Sequence, residues 1–550
     1  MLLSGIVRPA LASAGGRPAA AAAAMIVITL VAAFACNDGK DAGPATPAAT
    51  TTGRPEATPT PTATARLDSV AEKAVVAVSA VAAGDFAPGL QSLAHGDFNG
   101  DGFKDLLAGA PLADGPNNSR EDAGEAYVIF GGANLAPMIS LADGEQALTI
   151  YGAAEGDSLG FSVLGADVNG DGIDDIIVGA PGVTGVEDPR TDQGQVYVLF
   201  GSRDLGGSLD IASTPQSVTV TGSEGFSRLG HASASGDVNG DGSADLILGA
   251  PFAGREPNTP PGAPRTEVGE VYVVLGGASL PSSLSIVTGQ QDLTLSGRKP
   301  FGQFGAAVAA GDVNADGIDD IIVSAPQADG PDGSRQAAGA VYVFFGTGEV
   351  SGKRTVGSED ILVTGRAGGD SLGTPLAAAD FNGDGSDDLI AGAQRASGGE
   401  VGSASGAAVL IFGESDLPGT IDLAEPGPAL SMFGSGRAQL LPTSLAASDL
   451  NGDGAADLVL GSAQAETPQD RPQAGLVYVV LGGQKPPDGA LVGATADLTI
   501  VGAEGGALLG SAVAGFPLTG EPEIVALAVG TGEGGGPGAG RIYVLRFALP

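Results

Sequence analysis

Apolar residues in this chain come in short runs set behind clusters of acid. In "DVNGDGIDDIIVGAP", Asp167 to Pro181, four aspartates fall within nine residues and lead straight into solid apolar chain. Such a run, bounded by Gly and Pro, predicts a short buried strand. The same order then recurs along the sequence. A Gly-rich segment such as "LGFSVLGA" is followed by the acidic loop, the apolar run "DIIVGAP" and a variable polar stretch. Two further strands such as "GQVYVLFG" and "SVTVTG" complete the unit.

The acidic signature Asp-x-Asn-x-Asp-Gly-x-x-Asp begins at Asp97, Asp167, Asp237, Asp312, Asp380 and Asp449, at intervals of 70, 70, 75, 68 and 69 residues. One supersecondary unit is being reused. Four short strands per unit is the content of a propeller blade. WD-type repeats are excluded by the period and by the absence of tryptophan.

Positions 1, 3, 5 and 9 of every loop carry side-chain oxygens: Asp97, Asn99, Asp101 and Asp105; Asp167, Asn169, Asp171 and Asp175; Asp237, Asn239, Asp241 and Asp245; Asp312, Asn314, Asp316 and Asp320; Asp380, Asn382, Asp384 and Asp388; Asp449, Asn451, Asp453 and Asp457. Position 6 is always glycine, as the sharpest bend of a chain wrapping an ion requires. Position 7 is Phe103, Ile173, Ser243, Ile318, Ser386 or Ala455. That indifference predicts a backbone carbonyl ligand. Position 2 is always apolar, which predicts a side chain turned into the core. Hard oxygen donors in this number favour Ca2+, up to six ions in a structural role. Solvated Asx turns use the same residue types but do not require four fixed oxygens six times over. An EF-hand would need glutamate at position 12, where Ala108, Val178, Leu248, Val323, Ala391 and Leu460 stand.

"LGFSVLGADVNGDGIDDIIVGAP" resembles the FG-GAP repeat of the integrin alpha-subunit propeller and its bacterial relatives. Phe304 and Gly305 keep the literal FG. Gly109 to Pro111, Gly179 to Pro181 and Gly249 to Pro251 keep GAP, while later units drift to "GAQ" at Gly392 and "GSA" at Gly461. The resemblance covers about residue 73 to residue 550. It implies an all-β, seven-bladed propeller with calcium in the turn between the first two strands of several blades, often serving adhesion or ligand binding.

A seventh unit aligns at "LLGSAVAGFPLTGEPEIVALAVG", where Pro517, Thr519, Glu521 and Val525 replace the four ligand positions, so a metal-free blade is expected there. The unit ends on a third strand, "GRIYVLRF". The strand at Ala74 to Ser79 is expected to supply the fourth and close the ring, removing two exposed edges. Seven units then occupy everything from residue 73 to 550, and no separate catalytic domain is expected.

Composition narrows the partners. With 64 acidic and 25 basic residues the net charge is -39, which repels nucleic acid. The chain has two histidines and one cysteine, so catalytic groups are scarce and no intrachain disulfide forms. His95 and His231 read as structural, and no Ser-His-Asp spacing stands out.

Residues 1–35 read as an export signal, with Arg8 and Arg17 before the apolar stretch Pro18 to Ala35. Cleavage before Cys36 resembles the processing of bacterial lipoproteins, in which the cysteine carries the lipid, although Ala33 stands where leucine is usual. Ordinary secretion uses the same cut. Residues 36–72 form a Pro/Thr/Ala-rich tether that cannot bury a core.

An arginine stands four residues before the glycine that opens the third strand in five units: Arg120, Arg190, Arg265, Arg335 and Arg471. Blade symmetry places them on the face opposite the acidic loops. Each is expected to pair with a neighbouring acid such as Glu121 or Asp192, with an anion-binding rim as the alternative. The resulting expectation is a monomeric cell-surface lipoprotein, or else a secreted protein, that binds a protein or glycan without catalysis. A propeller lectin and a hydrolase acting in the central channel are the rival readings.

Overall fold

A computed structural model describes residues 65–67, 74–83, 86, 92–184, 192–223, 226–254, 267–331, 333–398, 404–436, 439–466, 471–519, 523–529 and 539–546. The chain divides into Met1–Thr60 and Pro61–Pro550. The expected signal, Cys36 and most of the tether lie outside the described residues.

Pro61–Pro550 is an all-β, seven-bladed propeller ring. In blade one the strands Leu93–Gly96, Asp105–Ala110, Glu125–Ile129 and Leu148–Tyr151 form an antiparallel meander. The acidic loop joins the first two strands, and Asp105 at position 9 opens the second. Every second strand in blades one to six is buried throughout. Both of its faces are covered because the sheets stack around the ring, and strands buried on both faces read as unbroken apolar runs. The apolar residues gather into seven clusters, one between each pair of neighbouring blades. Alternation along one strand divides them: Leu106 and Ala108 pack toward blade seven and Leu107 toward blade two.

The glycines of the motif are where blades touch. A Cβ on Gly109 would stand 2.0 Å from the Gly160 carbonyl oxygen of the next blade, and one on Gly179 would stand 2.2 Å from that of Gly230. Gly160 and Gly230 are themselves left-handed, with φ of 87° and 86°.

Each sheet has five strands, not the expected four. In six of the seven sheets the fifth comes from the connection between the third and fourth strands of the following blade. Gly207–Asp210 pairs parallel with Leu148–Tyr151, and Thr420–Asp422 with Ile361–Thr364. These strands are two to four residues long, too short to show a pattern in the sequence, and they cover outer edges that would otherwise stand unpaired.

In the seventh sheet Ala74–Ala83 pairs antiparallel with Ala539–Arg546. In the sixth, Ala65–Leu67 pairs parallel with Leu498–Ile500 as the fifth strand. Composition placed Ala65–Leu67 in the tether; an open sheet edge recruits it as strand. Among the described residues no helix is long and apolar enough to cross a membrane.

Candidate metal loops and the central channel

All six acidic loops are built alike. In the first, Asp97 Oδ1 accepts from the Asp101 N–H at 3.0 Å and Oδ2 from the Gly102 N–H at 2.9 Å. Asp101 Oδ1 accepts from the Phe103 N–H at 2.9 Å. Position 6 is left-handed throughout, with φ from 87° at Gly172 to 94° at Gly385. Position 2 points into the core as expected, with Phe98, Val168, Val238 and Phe381 fully buried.

Position 9 ties the loop to the sheet. Asp105 Oδ2 accepts from the Phe98 N–H at 3.0 Å, and Oδ1 from the Gly131 N–H beyond the third strand at 2.7 Å. The same two bonds recur at Asp175, Asp245, Asp320, Asp388 and Asp457. All six of these carboxyls are buried. Burial pushes Asp105, Asp175 and Asp320 up to about 7; the backbone N–H bonds oppose this, and the carboxylates at positions 5 and 1 add to it.

The donor set fits a hard cation. Asn99 Oδ1 accepts from the Asp101 N–H, but in the fourth and fifth loops Asn314 Oδ1 and Asn382 Oδ1 are buried without a hydrogen-bond partner among the described residues. An orphaned amide oxygen beside a buried carboxyl pushed toward its neutral form is an arrangement a cation would complete. Each carboxylate oxygen that accepts one N–H keeps a second lone pair. Among the described residues, no three acidic, histidine or cysteine side chains already stand as a metal cage.

The loops also interlock, which spacing did not reveal. Asp174, at position 8 of the second loop, accepts from the Asp97 N–H of the first at 2.7 Å and from Lys104 Nζ at 2.7 Å. Asp319 and Asp387 reach back in the same way to the N–H groups of Asp237 and Asp312. The only sequence signal is the doubled aspartate in those three loops.

Blade seven lacks the acidic loop. Its second strand opens at Glu523, where other blades place position 9, so Val525 lies two residues inside the strand. Glu523 is 1% exposed; it accepts from Thr519 Oγ1 at 2.6 Å and pairs with Arg546 at 3.0 Å. Pro517 stands in the turn before it, and Glu521 lies outside the described residues.

On the opposite face, Arg120 and Arg335 are bonded to carboxylates of the following blade. Their partners are Asp210 and Asp422, not the adjacent acids suggested by the sequence; Asp192 instead binds Arg228 at 2.7 Å. Asp210 and Asp422 end the donated fifth strands, and those strands bring them over the arginines. Arg471 donates to the Gly502 carbonyl at 2.9 Å. Arg190 and Arg265 lie outside the described residues.

The FG-GAP repeat matches residues 90–129, 159–199, 229–274, 304–344, 372–411 and 441–480. The chain carries six FG-GAP repeats. It is homologous to integrin alpha chains: 32% identical over 246 residues to Integrin alpha pat-2 of Caenorhabditis elegans, covering 42% of this chain and 17% of that one. Integrin alpha-8 of Mus musculus is 36% identical over 169 residues, 30% of this chain and 14% of that one. Phosphatidylinositol-glycan-specific phospholipase D of Homo sapiens is 38% identical over 181 residues, 32% of this chain and 19% of that one. The matches thus span about a fifth or less of these relatives' own lengths.

Proposed function

We propose that this FG-GAP propeller is an exported, calcium-stabilised binding module that acts at the cell surface without catalysis, held there by a lipid on Cys36. One observation carries the calcium part. Six loops repeat the same oxygens at positions 1, 3, 5 and 9, and two of them leave a buried asparagine oxygen without a partner. Asp, Asn and the position-7 carbonyl would hold the ion, which would supply the positive charge that the buried position-9 carboxylates lack. Arg120 and Arg335 on the far face serve the fold in this reading, each tying its blade to the strand the next blade donates.

The phospholipase relative supports a second reading, a hydrolase. One experiment separates the two. The purified protein is run against glycan and matrix-protein arrays and, in parallel, against phosphodiester, ester and glycoside substrates. The binding-module reading predicts a retained ligand without turnover. Turnover that tracks the protein through purification would contradict it.

A further inference from the structure

Asp319, at position 8 of the fourth acidic loop, joins that loop to the third. Its Oδ2 accepts from the Asp237 N–H at 2.8 Å, and its own N–H donates to the Asp237 carbonyl at 3.1 Å. Asp387 of the fifth loop makes the same two bonds to Asp312 of the fourth, at 3.1 and 3.0 Å. Each bridge thus runs from the residue beside a position-9 carboxyl, Asp320 or Asp388, to position 1 of the preceding loop. Position 1 in turn shapes its loop. Asp237 accepts from the N–H groups of Asp241 and Gly242 at 2.9 and 2.8 Å, and Asp312 from those of Asp316 and Gly317 at 3.0 and 2.8 Å.

The bridges occupy only part of the ring. Position 8 is Ala244 in the third loop and Ala456 in the sixth, which offer no carboxylate. Asp174 of the second loop reaches Asp97 of the first, but Lys104 Nζ binds it at 2.7 Å and supplies the opposite charge. Asp319 and Asp387 have no such cation among the described residues. The charges acting on them are carboxylates, Asp237 and Asp312 on Asp319, and Asp319, Asp312 and Asp380 on Asp387.

With the bridges located, the residue before position 1 is seen to follow them. It is Gly96, Gly236 or Gly311 where the next blade sends an aspartate, and Ala166, Ala379 or Ser448 where it does not. A Cβ on Gly236 would stand 2.7 Å from Asp319 Oδ2 and 2.6 Å from the Ala310 Cβ. One on Gly311 would stand 2.6 Å from both Asp387 Oδ2 and the Ala378 Cβ. A second feature marks the fourth and fifth loops as incomplete without an ion. Asn314 Oδ1 and Asn382 Oδ1 have no partner among the described residues, whereas in the other four loops the asparagine Oδ1 accepts from the position-5 N–H. Asn314 is 8% exposed, and a buried polar atom without a protein partner points to a ligand.

We propose that the third, fourth and fifth loops bind Ca2+ cooperatively, with Asp319 and Asp387 as the positioning residues that couple them, while the other three loops bind independently. This rests on the calcium reading above and adds how one site acts on the next. Asp320, once committed to an ion in the fourth loop, fixes Asp319 beside it. Asp319 then holds the Asp237 backbone, so position 1 of the third loop is set before its own ion arrives. Asp387 relays the same order from the fifth loop to the fourth. Two sites that share one ordered element bind with a coupling free energy. Neighbouring loops also share the uncancelled charge of the bridging carboxylate, which offsets repulsion between two bound ions.

The test is calcium titration of the full, metal-free protein by calorimetry, which reads the number of ions and their affinities. Asp316→Ala disables the fourth loop and Asp453→Ala the sixth; both side chains are exposed, so both variants should fold. Asp453→Ala should lose one ion and leave the rest at wild-type affinity. Asp316→Ala should lose one ion and also weaken two others about tenfold. Asp319→Ala and Asp387→Ala should fold, because Ala244 and Ala456 already stand at position 8. In that doubly substituted background, adding Asp316→Ala should remove one ion and weaken none. The proposal is overturned if Asp316→Ala and Asp453→Ala act alike, or if the weakening survives in the Asp319→Ala/Asp387→Ala background. Six ions bound independently would overturn the coupling and leave the calcium reading standing, whereas no calcium uptake would overturn both.

Discussion

Arg120 of blade one grips Asp210 of blade two through two parallel bonds, Nη1 to Oδ1 at 2.8 Å and Nη2 to Oδ2 at 2.7 Å, while Nη1 also donates to the Gly152 carbonyl at 2.6 Å. Arg335 repeats the arrangement with Asp422 and the Gly365 carbonyl. Each pair fastens a donated strand to the blade it covers. Bidentate geometry and partial burial raise these contacts above ordinary surface ion pairs. Arg120→Ala and Asp210→Ala should each destabilise by about 1 kcal/mol, and the double mutant should cost little more than either alone. Additive losses in a denaturant series would show that the two side chains act independently.

The two N-terminal strands should matter in order. If pairing with the sixth and seventh sheets holds the ring shut, deleting residues 1–64 leaves melting unchanged, because no described pairing is lost. Deleting through residue 71 removes Ala65–Leu67 and should lower the melting temperature modestly. Deleting through residue 83 opens the seventh sheet beside Ala539–Arg546 and should yield aggregate. Equal melting of all three truncations would exclude this role.

Position 4 of the acidic loops offers a stabilising change. It is left-handed in every loop, glycine in five and Ala315 in the fourth, where φ is 61°. A left-handed non-glycine residue costs about 1–2 kcal/mol, and glycine gives back part of that through its freer unfolded chain. Ala315→Gly should therefore raise stability by about 0.5–1 kcal/mol. Thermal melting of the single variant checks it.

The position-9 carboxyls give chelated protein an unusual pH response. Burial raises Asp105, Asp175 and Asp320 to about 7, and Asp245 and Asp388 to about 6, against an unfolded value of about 3.9. Between those limits the folded chain holds protons that the unfolded chain has released, so stability falls as pH rises through the window. In chelator the protein should melt higher at about pH 5 than at about pH 7.5. With calcium the order should reverse, because ion and proton compete for the same oxygens. Chelated protein that melts higher at the upper pH would contradict the burial of these groups.

The ring was legible because two periods coincide: about seventy residues between acidic loops, and solid apolar runs such as "DIIVGA" wherever a strand is buried on both faces. The uniform loops followed from residue types alone, since Asp, Asn and Gly at fixed offsets leave the backbone few ways to turn. What stayed hidden depends on contact between blades. Arg120 finds Asp210 ninety residues away because a four-residue strand crosses to the neighbouring sheet, and no local pattern encodes that crossing. Glu523 was missed because the blade-seven turn has a different length. His231 reads as a substituted phenylalanine, and the contacts that hold its ring, Phe161 of the neighbouring blade and Phe252, are set by blade packing that no local pattern encodes.

Melting in calcium against melting in chelator tests the central claim most directly. Six loops gather carboxylates at close quarters, and an ion that binds only the folded ring stabilises it by mass action. Protein shown to be metal-free should melt well below the same protein in millimolar calcium, with calorimetry counting up to six ions bound. Identical melting in both, with no calcium uptake, would contradict the account.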